Sequence, residues 1–290
     1  MDKRLVQGSP EWLQTRQNMF TASDAPVVMG VSPYATPYQR WSEKVGLAPP
    51  IEQTFPMKEG HRKEEIARQL LEKKLGLFLM PDVKFHPTLP WMMASLDAID
   101  PSNTVVAEIK ALGIEKHNLA VGGKVPEEYF PQVQAQIEVC QVDKAYYTSF
   151  YKHHNQEEGE IVTIEVYRDD SYIKKLIEKG KRFWDCIQEF SAPDMTEKDF
   201  IQKSDAIWID QASRWRSVNE QIKELEKKEK LYREGLIAMC YEHNSMGAGI
   251  KVARIVRKGN VDYASIPQLQ EVDLEKYRKK PIESYRITAT

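Results

Sequence analysis

One stretch constrains this chain more than any other. Residues 91–110 read as two short β-strands, Trp91 to Ile99 and Thr104 to Lys110, joined by a turn at Asp100-Pro101-Ser102-Asn103. In a strand, residues two apart share a face, so Glu108 and Lys110 project together while Val105, Ala107 and Ile109 project to the other side. Burial of the apolar face fixes the strand and leaves an acid and a base displayed opposite. Asp97, just before the turn on the partner strand, can be brought across the ladder to the neighbourhood of Glu108. Two carboxylates and an amine are therefore expected to converge at the end of a sheet.

Two carboxylates held close raise one another's pKa unless a cation intervenes. A hard divalent ion with oxygen ligands is the natural neutraliser, and Mg²⁺ prefers one or two carboxylates with water and phosphate oxygens. Such an ion lowers the pKa of water and screens charge on a phosphate under attack, while Lys110 can orient the nucleophile or stabilise developing charge. The pattern points to metal-assisted phosphodiester hydrolysis. A salt-bridged exposed strand face would show the same letters, because short motifs carry false positives.

The flanking sequence supplies a scaffold for such a sheet. Thr21-Ala22-Ser23-Asp24 ahead of Ala25-Pro26-Val27-Val28-Met29 reads as a helix N-terminus. A charged helix is expected from Met57 to Gly76, with Ile66, Leu70 and Leu75 as buried candidates and Glu64 beside them. A second helix is expected to start near Pro126, carrying Phe130, Val133, Ile137 and Cys140 at helical spacing. Two strands follow, Ala145 to Tyr151 and Ile161 to Tyr167, and then an amphipathic helix from Asp169 to Phe190 with Ile173, Leu176, Ile177, Phe183 and Ile187 on one side. Ser191-Ala192-Pro193-Asp194 reads as a linker. Beyond it, Trp215, Val218, Ile222, Leu225, Tyr232, Leu236 and Met239 recur at alternating spacings of three and four, interrupted by Glu229. This segment is expected to be a helical arm that packs on its own chain or on a subunit. The segment from Gly249 to Ile266 reads as a small hairpin turning at Lys258-Gly259-Asn260.

Charge and cysteine usage narrow the function classes. The 290 residues carry 41 Lys plus Arg against 43 Asp plus Glu, a formal net charge of −2 that excludes a sequence-independent polycation. Any nucleic-acid contact must therefore be local. No apolar run approaches the roughly 18 to 20 residues of a membrane span, and a cytoplasmic protein is expected. Cys140, Cys186 and Cys240 are odd in number and far apart, which argues for buried thiols over a disulfide framework or zinc site. His153-His154 lacks a Glu at metalloprotease spacing, so the histidines offer no rival centre.

Four segments, in order, resemble the YqaJ-type viral recombinases, the phage nucleases of the PD-(D/E)xK superfamily that include lambda exonuclease. They are Glu11-Trp12-x-x-x-Arg16 followed by Thr21-Ala22-Ser23-Asp24; Gly60-x-x-x-Glu64; Asp97 with Glu108-Ile109-Lys110; and Tyr129-x-x-Gln132-Val133-Gln134. The resemblance implies that Asp97, Glu108 and the Ile109 carbonyl are metal ligands and that Lys110 is the catalytic lysine. It gives Glu64, with Glu65 as the alternative, to the metal shell. It places Gln132 and Gln134 in a QxQ motif near the site. Arg16 and Ser23 match positions that bind a 5′-phosphate, which suits a guanidinium and a hydroxyl at a helix N-terminus. Trp12, one turn before Arg16, could support that arginine, stack on a base or simply pack in the core. Leu96 stands where the superfamily motif has Pro.

The expected fold is accordingly α/β: a restriction-nuclease-like core, residues 1–193, with a central mixed sheet flanked by helices, plus a helical and β appendage over 194–290. The resemblance implies Mg²⁺-dependent 5′→3′ degradation of one strand from a double-stranded DNA end, with Mn²⁺ as a substitute ion, in the cytoplasm of a phage-bearing bacterium. It also implies a single-strand annealing recombinase as partner and a ring-shaped trimer. A structure-specific endonuclease and a non-catalytic DNA-end-binding scaffold are the alternatives. Arg254, Arg257 and Lys258 could touch a DNA backbone or merely protect an edge hairpin.

Overall fold

The computed structural model describes residues 5–48, 55–153, 159–257, 259, 265–267 and 272. Two compact units divide between Ile201 and Gln202. The first opens with α1 (Pro10–Gln17), capped by the Ser9 hydroxyl accepting the Trp12 N–H, with a proline in its first turn. A two-residue strand β1 (Phe20–Thr21) leads through a 3₁₀ turn (Ala22–Asp24) into α2 (Ala25–Met29). After a loop comes α3 (Pro37–Lys44), started by a capping box between Thr36 and Gln39. Next in order are α4 (Phe55–Leu75), β2 (Met80–Phe85), β3 (Met92–Ile99), β4 (Val106–Ala111), α5 (Ile114–Val121), α6 (Phe130–Cys140), β5 (Lys144–Tyr151), β6 (Glu160–Tyr167) and α7 (Asp170–Gln188). The second helix thus begins at Phe130, four residues after the expected Pro126, because residues 126–129 form a turn closed by the Tyr129 N–H on the Pro126 carbonyl.

The six strands form one mixed sheet. β2 runs antiparallel along one edge of β3, from Met80 opposite Ile99 to Phe85 opposite Met93. The other edge of β3 is shared. β1 pairs there in parallel with Met92 and Met93, and β4 pairs antiparallel with Ala98 and Ile99. Residues 94–97 lie between those two contacts, so β3 and β4 form a short-stemmed fork instead of the full hairpin that the sequence suggests. β4 continues parallel to β5, with Glu108 opposite Tyr147 and Lys110 opposite Ser149, and β5 pairs antiparallel with β6.

Helices cover both faces of the sheet. On one, α6 and α7 pack over Met92, Leu96, Tyr147 and Val166 in the larger core cluster. On the other, α4 places Ala67 and Leu71, both fully buried, against Ala98, Ala107, Ile109 and Phe150. Ile66, expected to be buried, is 36% exposed. The stripe is carried by residues 67 and 71, with Leu70 and Leu75 at its margins. Truncating Leu71 to alanine would cost about 2–5 kcal/mol at a site this closed. On α7, Ile173, Leu176, Phe183 and Ile187 are buried as the periodicity requires. Residues 194–201 belong to the first unit, where the Thr36 hydroxyl donates to Asp199.

The second unit contains α8 (Ala206–Met239), a 34-residue helix capped by Asp205, and a hairpin of β7 (Ser245–Gly247) and β8 (Ile250–Val252). None of the α8 residues is buried, and Val218, Ile222, Leu225, Tyr232 and Met239 are exposed. The hairpin turns at Ala248-Gly249, where both residues have positive φ. It therefore precedes the expected one, whose turn residues Lys258 and Asn260 lie outside the described residues. Arg254 and Arg257 are exposed beyond β8. All three cysteines are free; Cys240 is buried and the other two are half-buried. Among the described residues, no helix is long and apolar enough to cross a membrane.

Candidate active site

The fork between β3 and β4 gathers the charged residues. The pairing of Ala98 with Ala107 continues, one step on, to Asp97 opposite Glu108, where the strands part. There the Asp97 carboxylate replaces a ladder acceptor and takes the Ile109 N–H at 2.8 Å. Glu108 is fully buried on the face covered by α6, and it forms an ion pair with the Lys110 ammonium two residues along. Ile109 turns the other way into the α4 cluster, so the alternation of β4 does hold the acid and the base on one face.

The electrostatics are those of a site with too much negative charge. Burial pushes the Asp97 carboxyl well above its usual range, and the charges of Glu108 and Glu64 push it further, against the opposing pull of Lys110. Burial alone would lower the Lys110 pKa, but Glu108 and Asp97 outweigh it and hold the amine as ammonium. Glu64 acts on both Asp97 and Lys110 from α4. Its neighbour Glu65 is exposed and pairs with Arg68 at 3.0 Å. Among the described residues, no group of three or more His, Cys, Asp or Glu side chains could hold a metal ion as the side chains stand. Two oxygen-donor carboxylates in surplus over one ammonium nonetheless fit a hard divalent ion, which would complete its shell with water and phosphate oxygens.

Glutamines of α6 orient Glu108. Gln132 donates to one carboxylate oxygen at 2.6 Å, and Gln136 donates to the other. Gln134 is not brought to this centre. Its side chain is fully buried, donating to the Tyr167 carbonyl at 2.8 Å and accepting the Asp169 N–H at 3.0 Å, so it ties α6 to the start of α7. Helical geometry explains the difference: residues four apart share a face, whereas residues two apart do not. Gln136 is the residue the motif reading missed, and its spacing from Gln132 was the available signal.

Beside the fork lies a second polar cluster. Arg16 of α1 donates to the Ser23 hydroxyl at 2.9 Å and stacks 4.4 Å from the Trp12 ring. The Trp12 indole N–H in turn donates to the Ser95 hydroxyl at 2.9 Å. Ser95 is two residues before Asp97 on β3. Asp24 is buried behind Ser23, paired with Lys44 at 2.9 Å and with Arg40 at 3.6 Å. Burial alone would raise its pKa, but Lys44 and Arg40 hold its carboxylate below the usual range. Lys44 also donates to the carbonyls of Arg16 and Met19, at 2.7 and 2.8 Å. Glu43 also takes Arg40, at 2.9 Å, so three cations against two carboxylates leave one positive charge in surplus and the Arg16–Ser23 corner suited to an anion. Lys44 and Arg40 were not singled out from the sequence, because isolated cations on a helix give no signal there.

The fold is a mixed α/β domain whose central sheet opens in a charged fork between β3 and β4. Residues 11–143 match the YqaJ-like viral recombinase domain. The chain is 25% identical over 179 residues to the Bacillus subtilis (strain 168) protein YqaJ, covering 60% of this chain and spanning 54% of that relative's length. Its fold is similar to LHK-Exo in complex with dAMP (TM-score 0.55, 22% identity, 63% of this chain and 94% of that one). It is also similar to LHK-Exo, an alkaline exonuclease from Laribacter hongkongensis, in a second structure (TM-score 0.53, 23% identity, again 63% and 94%).

Proposed function

We propose that the protein is a divalent-metal-dependent exonuclease that engages a 5′-phosphorylated end of duplex DNA and removes nucleotides in the 5′→3′ direction. The product would be a 3′ single strand for recombination by an annealing protein. Mg²⁺ is the ion that fits best, with Mn²⁺ as substitute. The observation that carries the reading is the coupling of two sites through one strand: Arg16 and Ser23 are anchored by Trp12 to Ser95, two residues from Asp97.

Asp97, Glu108 and the Ile109 carbonyl would hold the ion, with Glu64 as an outer carboxylate; the ion would supply a more acidic water and neutralise phosphate charge. The chain's own residues do the rest. Gln132 and Gln136 keep the Glu108 carboxylate in one orientation, and the Ile109 N–H does so for Asp97. Lys110, held as ammonium, is suited to stabilise charge developing on the phosphoryl oxygens and not to accept a proton. Water oxygen bonds to phosphorus, the bond from phosphorus to the departing O3′ breaks, and a proton ends on that O3′. The strand keeps a new 5′-phosphate, the group that Arg16 and Ser23 would bind for the next cycle.

Digestion of end-labelled linear and circular duplex, with Mg²⁺ and with EDTA, tests the reading. Linear DNA with a 5′-phosphate should be shortened only with the ion, and circular DNA should survive; cutting of the circle would replace the reading with an endonuclease. A ring-shaped trimer and an annealing partner are part of the same proposal, checked by sedimentation and by co-purification.

A further inference from the structure

The loop between α2 and α3 carries an aromatic ring that neither the catalytic centre nor the anion corner uses. Tyr34 is 73% exposed, yet its hydroxyl is held. Lys116 of α5 donates to it at 3.2 Å. Lys116 is itself fixed by an ion pair with Glu128, and its ammonium lies 5.5 Å from the centres of both the Tyr34 and Tyr129 rings. The Lys110 ammonium is 5.6 Å from the centre of the Tyr129 ring, and Tyr147 stacks on that ring at 5.9 Å.

Tyr34 therefore joins two places. Its loop connects the segment bearing Ser23 and Asp24 to the helix bearing Arg40 and Lys44, and its hydroxyl accepts from Lys116, which lies against the Tyr129 ring that Lys110 also faces. It also lines a cavity of about 540 Å³ with Pro33, Thr36 and Thr196, open space on its loop large enough for a planar base. An exposed ring normally gains little by being fixed in one place, because ordering a side chain costs entropy. Here Lys116, itself paired with Glu128, spends its ammonium on doing so. Through Lys116 and the Tyr129 ring it stands two side-chain contacts from Lys110, where the bond to be cut would lie.

We propose that Tyr34, held by Lys116 beside the Tyr129 ring that faces Lys110, is the stacking platform for the base of the 5′-terminal nucleotide. The proposal rests on the exonuclease reading above for the course of the strand. Stacking on an aromatic ring recognises any base by its π-face, so this contact would grip every terminal nucleotide without selecting a sequence. Lys116 is a positioning residue in this scheme.

Equilibrium binding to 5′-phosphorylated duplex ends tests it, with Ca²⁺ in place of Mg²⁺ and the terminal nucleotide either intact or abasic. Wild type should bind the intact end roughly tenfold more tightly than the abasic end. Tyr34→Ala and the volume-preserving Tyr34→Leu should bind the two ends alike, at an affinity close to that of wild type for the abasic end, and Tyr34→Trp should restore the preference. A preference kept by both Tyr34→Ala and Tyr34→Leu would overturn the proposal, as would a wild type that binds both ends equally or neither. Digestion of unmodified linear duplex by the same wild-type preparation with Mg²⁺ reports separately on the nuclease reading. Failure there, with the binding pattern intact, would leave Tyr34 as a base platform in a DNA-end-binding protein.

Discussion

Trp12 and Ser95 are joined by an indole N–H to hydroxyl bond of 2.9 Å, and this bond sets the spacing between the anion corner and the carboxylates. Arg16 lies over the same indole and is held by a ring that is itself held by β3. Trp12→Phe keeps an aromatic face for the guanidinium but removes the N–H. One hydrogen bond of this kind is worth about 0.5–1.5 kcal/mol. The expected result is a roughly 3- to 10-fold loss in the preference for 5′-phosphate over 5′-hydroxyl ends, with the rate on 5′-hydroxyl ends little changed. Arg16→Ala should abolish the preference altogether. Competition between differently labelled ends in one reaction measures both, and an undiminished preference in Arg16→Ala would remove the corner from the mechanism.

Asp97 is expected to trade stability for activity. Its carboxylate is half-buried near Glu108 and Glu64, and its pKa is driven well up, so the ionised form destabilises the metal-free fold. Glu108 is compensated by Lys110 and two glutamine donors. Asp97→Asn removes the surplus charge and keeps an oxygen for the Ile109 N–H. In EDTA its Tm should rise by about 2–6 °C, while cleavage in Mg²⁺ falls to background. Mg²⁺ should raise the Tm of wild type and leave that of Asp97→Asn unmoved. A mutant that melts earlier than wild type in EDTA would show that the Asp97 charge is satisfied by something else.

The glutamines of α6 separate by function. Gln136→Ala deprives one Glu108 oxygen of its donor and should lower kcat by about 10-fold or more, with the KM for DNA ends nearly constant. Gln132→Ala should behave similarly. Gln134→Ala instead breaks the link between α6 and the start of α7 and should cost about 1–3 kcal/mol of stability, with the folded fraction still active. Thermal melts and steady-state kinetics on the three purified variants distinguish the cases; a dead but stable Gln134→Ala would reverse the assignment.

These glutamines also show how much of the molecule could be read in its letters. The alternation of Val105, Ala107 and Ile109 against Glu108 and Lys110 is a local, period-two signal, and the structure follows it. The α7 stripe is equally plain because one face of a long helix is buried continuously. The fork was harder to see. Whether β3 and β4 pair for two residues or for six depends on β1 returning to the same edge of β3 from about 70 residues upstream, and no local pattern encodes that. β2, with its mixed burial at the sheet edge, and the eight-residue α5 have too little periodicity to stand out. The α4 stripe was displaced because Ala67, a small residue amid charges, is buried where helix and sheet approach closely, while Ile66 faces outward. The roles of Lys44 and Arg40 depend on tertiary placement around Asp24.

The turn that closes the fork supplies a pH-dependent term in stability. The Asp100 carboxylate accepts the N–H groups of Ser102, Thr104 and Val105, at 3.1, 2.7 and 2.6 Å, and both nearby hydroxyls. Against the cost of burial, these donors hold its pKa down to about 2, below an ordinary value of 3.8. A carboxyl whose folded pKa is depressed contributes its full stability above the unfolded value and loses it as pH falls through the folded one. The contribution, on the order of 1–2 kcal/mol after solvent screening, should be complete at neutral pH and disappear between about pH 4 and pH 2. Asp100→Asn removes the titration while leaving an acceptor in place. The difference in unfolding free energy between wild type and Asp100→Asn should therefore be constant down to about pH 5 and shrink steadily below it. A difference that stays flat to pH 2 would mean that the charge on Asp100 does not brace the turn, and that the backbone N–H groups are satisfied equally well by a neutral amide.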